Sequence, residues 1–131
     1  MLTPVELRAI AASRLEDAQI LLANARYDGA GYICGYAIEL SLKARICDTL
    51  NWGGYPMTRK EFENLQTFKT HNLDVLLLLS GREQTIKQSH FADWSIVGAW
   101  NPEARYTTVG SASPTEANAF VQSTATLLPI L

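Results

Sequence analysis

The chain has 131 residues, of which 47% are hydrophobic and 18% are charged, and its formal net charge is −2. This length predicts one domain, residues 1–131, with a core large enough to fold without disulfides or metal. The composition excludes disordered, collagen-like and disulfide-scaffold proteins. The balanced charge argues against a broad basic surface for nucleic acid, but it leaves room for a small basic cleft.

The sequence also carries expectations about cellular location. The N-terminal residues MLTPVEL do not resemble a signal peptide, and the longest apolar run, residues 75–79, is too short to span a bilayer. Cys34 and Cys47 fall on one predicted helix, about 20 Å apart, which is too far for a disulfide. We therefore expect two buried free thiols in a cytoplasmic protein without a membrane segment.

In chain order, the first predicted element is an amphipathic helix from Pro4 to Ala25. Thr3, Pro4 and Glu6 have the spacing of a helix N-cap followed by a capping box. Apolar residues recur every three or four positions and form a single face. They are Leu7, Ala11, Leu15, Ala18, Leu22 and Ala25. A tight turn near residues 27–28 should lead into an antiparallel second helix.

The second predicted helix runs from Asp28, its expected N-cap, to Leu50, and it is apolar on several sides. Such a helix belongs at the centre of a fold. Its two internal glycines, Gly31 and Gly35, each disfavour a helix by about 1 kcal/mol relative to alanine. We expect close approach of a neighbouring helix to compensate. One further face combines aromatic and charged side chains: Tyr32, Tyr36, Glu39 and Lys43.

The remaining pattern predicts a short helix from Thr58, a helix over 73–80 that stops at Gly81, and a helix over 82–99. An irregular segment follows at 100–112, and Ser113, Pro114 and Glu116 mark the start of a last helix that ends near Leu128. Strand signals are missing. The expected fold is all-α, an up-and-down bundle of four to six helices.

Glu39 and Lys43 are the first candidates for a site, because they are four residues apart on the central helix. They form either a structural ion pair or the polar floor of a ligand cleft. Their candidate partners elsewhere in the chain are His71, Glu103, Arg105 and Tyr106. His71 precedes a helix N-terminus, where a neutral imidazole is favoured and a capping or packing role is common. His90 is expected to face solvent or to pack.

The segment WNPEARY, residues 100–106, is rich in side chains that often bind ligands. In the alternative interpretation, Trp94 and Trp100 close the end of the bundle and Arg105 pairs with Glu103 or Glu39. The two isolated histidines do not have the spacing of a metal site, and we predict no metal and no cofactor. No nucleotide-binding loop or hydrolase motif occurs.

Three stretches together resemble a HEPN domain (higher eukaryotes and prokaryotes nucleotide-binding). They are RLEDAQILLANARYDGAGYICGYAIELSLKARIC, FKTHNLDVLL and WNPEARY, and they span Arg14 to Tyr106. The resemblance implies a helical bundle, often a homodimer, frequently paired with a minimal nucleotidyltransferase. It also implies roles in toxin–antitoxin-like pairs or in binding nucleotide or RNA.

Many HEPN proteins are metal-independent ribonucleases with an arginine followed after four to six residues by a histidine. Here Arg82 and His90 have seven residues between them, no histidine follows Arg105, and His71 comes before both arginines. The resemblance therefore favours a non-catalytic module that binds nucleotide, nucleic acid or a nucleotidyltransferase. Its expected cleft is lined by Tyr32, Tyr36, Glu39, Lys43, His71, Trp100, Glu103, Arg105 and Tyr106.

Two alternatives remain open. One is a ribonuclease with a rearranged site, which uses His71 or His90 with Arg105 or Arg82. The other is a structural dimer in which the polar cluster only fixes the packing.

Overall fold

A computed structural model describes all 131 residues and shows six α-helices without a β-strand, which confirms the all-α class. The helices are α1 (Pro4–Ala23), α2 (Tyr27–Leu50), α3 (Leu73–Ser80), α4 (Glu83–Ser89), α5 (Phe91–Val97) and α6 (Pro114–Leu127). Short 3₁₀ turns lie at Gln66–Phe68, Pro102–Tyr106 and Leu128–Ile130. None of the six helices is long and apolar enough to cross a membrane.

Helix α1 begins as the sequence predicts. The Thr3 hydroxyl accepts the backbone N–H of Glu6, and the Glu6 carboxylate accepts the backbone N–H of Thr3. The helix ends two residues earlier than expected, and Ala25 adopts a left-handed conformation in the turn that follows. That turn brings α2 back along α1, and the two long helices pack along most of their length.

Helix α2 is central, as predicted, and it packs against α1, α3 and α6. Its buried apolar side chains, including Ile38, Leu42 and Ile46, join the main core with Leu76 and Leu77 of α3. Cys34 and Cys47 are buried free thiols, as expected. Burial raises the pKa of the Cys34 thiol to about 11.

Asp28 is not the N-cap of α2, because the helix begins one residue earlier and Arg26 holds the cap position without a side-chain hydrogen bond. Instead, the Asp28 carboxylate accepts the backbone N–H groups of Ala112 and Gly110. These two bonds hold its pKa below the usual aspartate range. Asp28 thus fastens the segment before α6 to the start of α2.

The short helix predicted from Thr58 is not formed. The Thr58 hydroxyl does accept the backbone N–H of Glu61, but residues 59–64 make only hydrogen-bonded turns and Asn64 has a positive φ of 65°. The Glu61 carboxylate also pairs with the N-terminal ammonium group, at 3.1 Å. The Thr58–Glu61 capping interaction therefore forms a single turn, and the left-handed conformation of Asn64 prevents this turn from continuing as a helix.

The predicted helix over 82–99 is divided into α4 and α5 at His90, whose φ of −137° is not helical. By contrast, α3 has the predicted bounds. The Asn72 side chain caps its start, and Gly81 ends it in the left-handed conformation that glycine adopts without strain. Ser113 caps α6 as predicted, and α6 ends at Leu127.

Candidate functional site

Glu39 is the centre of a polar group on α2. Although it is charged, only 3% of its surface is exposed. Its Oε2 lies 3.0 Å from Lys43 Nζ, one helical turn further along α2, and the Lys43 side chain is only 12% exposed. A buried carboxylate is stable only if its charge and its lone pairs are matched. Lys43 therefore supplies the charge that matches the buried Glu39 carboxylate on this helix face.

The second oxygen of Glu39 binds a residue from a distant part of the chain. His71 Nδ1 lies 2.7 Å from Glu39 Oε1, and the His71 side chain is 61% exposed. Since an ionised carboxylate only accepts hydrogen bonds, Nδ1 donates its proton here. In the neutral imidazole, Nε2 is then an acceptor that faces no protein partner. Glu39 thus fixes the orientation and tautomer of an exposed histidine.

Lys43 is enclosed by a second contact. Its Nζ lies 5.3 Å from the centre of the Tyr55 ring, within cation–π range. Tyr55 is fully buried and donates a 2.6 Å hydrogen bond to the carbonyl of Phe68. Burial raises the pKa of Tyr55 above its usual range. The ammonium group is thus held between a carboxylate and an aromatic ring.

Aromatic side chains form the adjoining part of the same α2 face. The hydroxyls of Tyr32 and Tyr36 lie 3.3 Å apart, and the Tyr36 ring meets Trp100 edge-on at 4.9 Å. The hydrogen bond with Tyr32 and partial burial raise the pKa of Tyr36 to about 12. Trp100 is 8% exposed, and its indole lies directly over Gly35. The close approach that the glycine predicted is thus made by an indole from a loop and not by a helix.

The segment after Trp100 forms the 3₁₀ turn Pro102–Tyr106, with Glu103, Arg105 and Tyr106 exposed. The Arg105 guanidinium lies 4.8 Å from the centre of the Tyr106 ring. Tyr106 and, to a smaller extent, Tyr32 raise the pKa of this guanidinium. Neither of the expected ion pairs, Arg105 with Glu103 or with Glu39, lies within 4.0 Å. Arg105 is therefore an exposed cation without a salt bridge.

The nine candidate residues thus fall into groups. One is the hydrogen-bonded set of Glu39, Lys43 and His71, and another is the aromatic set of Tyr32, Tyr36 and Trp100, which Arg105 approaches. Glu103 and Tyr106 lie on the surface beside them. Trp94, the other tryptophan expected to close the end of the bundle, is buried, and its indole N–H donates to Asp74 at 2.9 Å.

A cleft of about 340 Å³ opens beside His71 and Trp100. Three other polar residues that line it, Asn72, Asp74 and Asn101, were missed by sequence reasoning. The available signal was weak: each asparagine directly precedes a helical turn, which by itself indicates only a cap.

No group of three or more His, Cys, Asp or Glu side chains lies close enough together to hold a metal ion. No family model matches this chain, and no curated protein or solved structure matches it either.

Proposed function

We propose that this protein is a non-catalytic, HEPN-like helical module that binds a nucleotide or single-stranded nucleic acid. The ligand would lie across the surface of Tyr32, His71, Arg105 and Tyr106. The observation that carries the proposal is His71, which is exposed but held in place by its hydrogen bond to Glu39. His71 lines a cleft together with Trp100, and the unpaired Arg105 approaches the aromatic side chains beside Trp100.

The charges on this surface favour a ligand with both an anion and a flat ring. Lys43 is already neutralised by Glu39, so Arg105 is the cation left to meet a phosphate. Tyr106 is 73% exposed beside that guanidinium. Exposed aromatic rings next to arginine are the usual platform on which unpaired bases stack.

The test is binding of a fluorescently labelled, mixed-sequence single-stranded RNA. Arg105→Ala should weaken binding about ten-fold, because a charge-assisted phosphate contact is lost. Arg59→Ala is the matched control, since Arg59 is also exposed and lies in the turns at 59–64, away from this surface. Equal weakening by both variants, or no binding by the unaltered protein, would overturn the proposal.

The His71–Glu39 pair also favours the second candidate, a metal-independent ribonuclease. A carboxylate that orients an imidazole is the arrangement that general bases use, and His71 Nε2 is accessible. Arg82 is a poor partner for this role, because its guanidinium donates to the carbonyl of Ile130 and so ties down the C-terminal turn. Arg105 is the better candidate for the phosphate.

This alternative is tested by incubating single-stranded RNA with the purified protein in excess chelator. Cleavage that is lost in both His71→Ala and Arg105→Ala, but kept in the control His90→Ala, would replace the binding module with a ribonuclease. Intact RNA with unaltered protein would exclude the ribonuclease under these conditions.

The resemblance further leads us to propose a homodimer and a minimal nucleotidyltransferase as partner. Leu78 and Phe91 are exposed apolar side chains that an interface could cover. Sedimentation velocity tests the dimer, and copurification with the product of a neighbouring nucleotidyltransferase gene tests the partner. Two free thiols are compatible with the proposed cytoplasmic location.

A further inference from the structure

The cleft beside His71 is lined by four polar side chains that the fold holds in place. They come from the segment that leads into α3 and from the loop after α5: His71, Asn72, Asp74 and Asn101. Its volume of about 340 Å³ lies within the range of small-molecule sites. Each of the four side chains uses one atom in a protein hydrogen bond and keeps a second polar atom free.

The two asparagines present hydrogen-bond donors. Asn72 Oδ1 accepts the backbone N–H of Val75 at 3.1 Å, and Asn101 Oδ1 accepts that of Glu103 at 2.8 Å. These bonds assign the oxygen of each amide, so the NH₂ group is the free end. Neither NH₂ group has a partner within the protein.

Asp74 and His71 present acceptors. Asp74 Oδ1 accepts the indole N–H of Trp94 at 2.9 Å, while Oδ2 makes no hydrogen bond. The nearest cation, Lys87, is 3.8 Å from Oδ1, and the Asp74 side chain is 58% exposed. His71 is bound through Nδ1 and keeps Nε2 free.

An independent observation comes from Trp100, which lines the same cleft. Its indole N–H is buried and has no hydrogen-bond partner. Buried polar groups in native proteins are nearly always paired. The cleft thus offers two exposed amide donors beside a buried indole N–H that has no protein partner, which favours a ligand with carbonyl groups.

We propose that this cleft binds a keto nucleobase, uracil or guanine, in preference to cytosine or adenine. The proposal rests on the proposed nucleotide binding and names its base specificity. Uracil and guanine place a carbonyl oxygen next to a ring N–H. The carbonyl would accept from an asparagine amide, and the ring N–H would donate to Asp74 Oδ2. Cytosine and adenine present a bare ring nitrogen at that position, which would face the carboxylate without a proton between them.

The experiment compares the affinities of UMP with CMP and of GMP with AMP for the full chain, by isothermal titration calorimetry. UMP and GMP should each bind about ten-fold more tightly than their counterparts, which is the usual effect of one matched base edge. Asp74→Asn should reverse the order within the UMP–CMP pair. Its Oδ1 still accepts from Trp94, while its new NH₂ group would donate to the ring nitrogen of cytosine.

Asp17→Asn on α1 is the matched control, because it removes one exposed carboxylate away from the cleft and should keep the preference for UMP. Equal binding of all four nucleotides would overturn the base specificity and leave the proposed function standing. The absence of any nucleotide or RNA binding would overturn both. The preference of the unaltered protein decides the question even if Asp74→Asn does not fold.

Discussion

Gly35→Ala is the sharpest test of how the aromatic region is packed. An added Cβ would lie 1.9 Å from Cε2, 2.0 Å from Cδ2 and 2.2 Å from Nε1 of Trp100. Real Cβ atoms essentially never lie within 3.0 Å of such a neighbouring atom, and an indole is a rigid ring that cannot bend away. The substitution must therefore move Trp100 off α2, together with its contact to Tyr36.

The magnitude follows from two opposing effects. Alanine favours the helix over glycine by about 1 kcal/mol. A tryptophan that buries about 200 Å² contributes about 5 kcal/mol at roughly 25 cal/mol per Å². If displacement exposes half of that area, the loss is about 2.5 kcal/mol. The net destabilisation is then about 1.5 kcal/mol, within the usual range for overpacking.

The assay is urea denaturation of Gly35→Ala and of Gly31→Ala, the matched control on the same helix. A Cβ at Gly31 meets no atom within 4 Å, so this variant should gain up to about 1 kcal/mol. Gly35→Ala should lose about 1.5 kcal/mol, and its Tm should fall by about 6 °C. When Trp100→Ala is added, Gly35→Ala should no longer destabilise the protein, and alanine should stabilise the helix at both glycine positions. A Gly35→Ala variant as stable as the unaltered protein would refute the packing argument.

Three further predictions concern buried or tethered groups. Because hydrogen bonds lower the folded-state pKa of Asp28, its hold on the segment before α6 should be complete above the ordinary value of 3.8 and be lost as the pH falls. NMR shifts of the two bound amides should follow this titration and show the released state in Asp28→Ala at all pH values. The Cys34 thiol, with a pKa near 11, should resist Ellman's reagent at pH 8 until the protein is unfolded. Lys43→Met should destabilise the fold by about 3 kcal/mol, because it leaves the buried Glu39 carboxylate without a compensating charge. The double variant Glu39→Leu, Lys43→Met should recover most of that loss, as measured by urea denaturation.

Each of these predictions has a contradicting result. Amide shifts that do not change at acidic pH would contradict the Asp28 tether. Rapid labelling of one thiol per native chain would contradict the burial of the cysteines. A Lys43→Met variant with unchanged stability would show that the ion pair does not compensate a buried charge.

Helix ends were predictable from the sequence where the signal is local. The capping box at Thr3, the stop at Gly81 and the cap at Ser113 each depend on residues within one turn, and all three are formed. The same kind of signal failed at Thr58, where one turn forms but Asn64 turns left-handed and no helix follows. It also failed at Asp28, whose carboxylate serves a segment more than 80 residues further along the chain.

The site was only partly predictable, for a related reason. The Glu39–Lys43 pair follows from helical spacing. The two helical glycines predicted a close neighbour, which is present at Gly35 and missing at Gly31. The identity of that neighbour, Trp100, depends on how a loop 65 positions later folds back. The bond from His71 to Glu39 spans 32 residues, and no local pattern encodes it.

The Glu39 group combines a structural pair with support for an exposed side chain, and the two roles are separable. Lys43 alone neutralises the buried charge, so His71 is not required for that purpose. Because His71 is mostly exposed, His71→Ala should lower the free energy of unfolding by less than about 1 kcal/mol. If the group only fixes the packing, His71→Ala should leave RNA binding unchanged. A loss of binding in a variant that remains stable would instead show that the exposed histidine, which Glu39 orients, takes part in RNA binding.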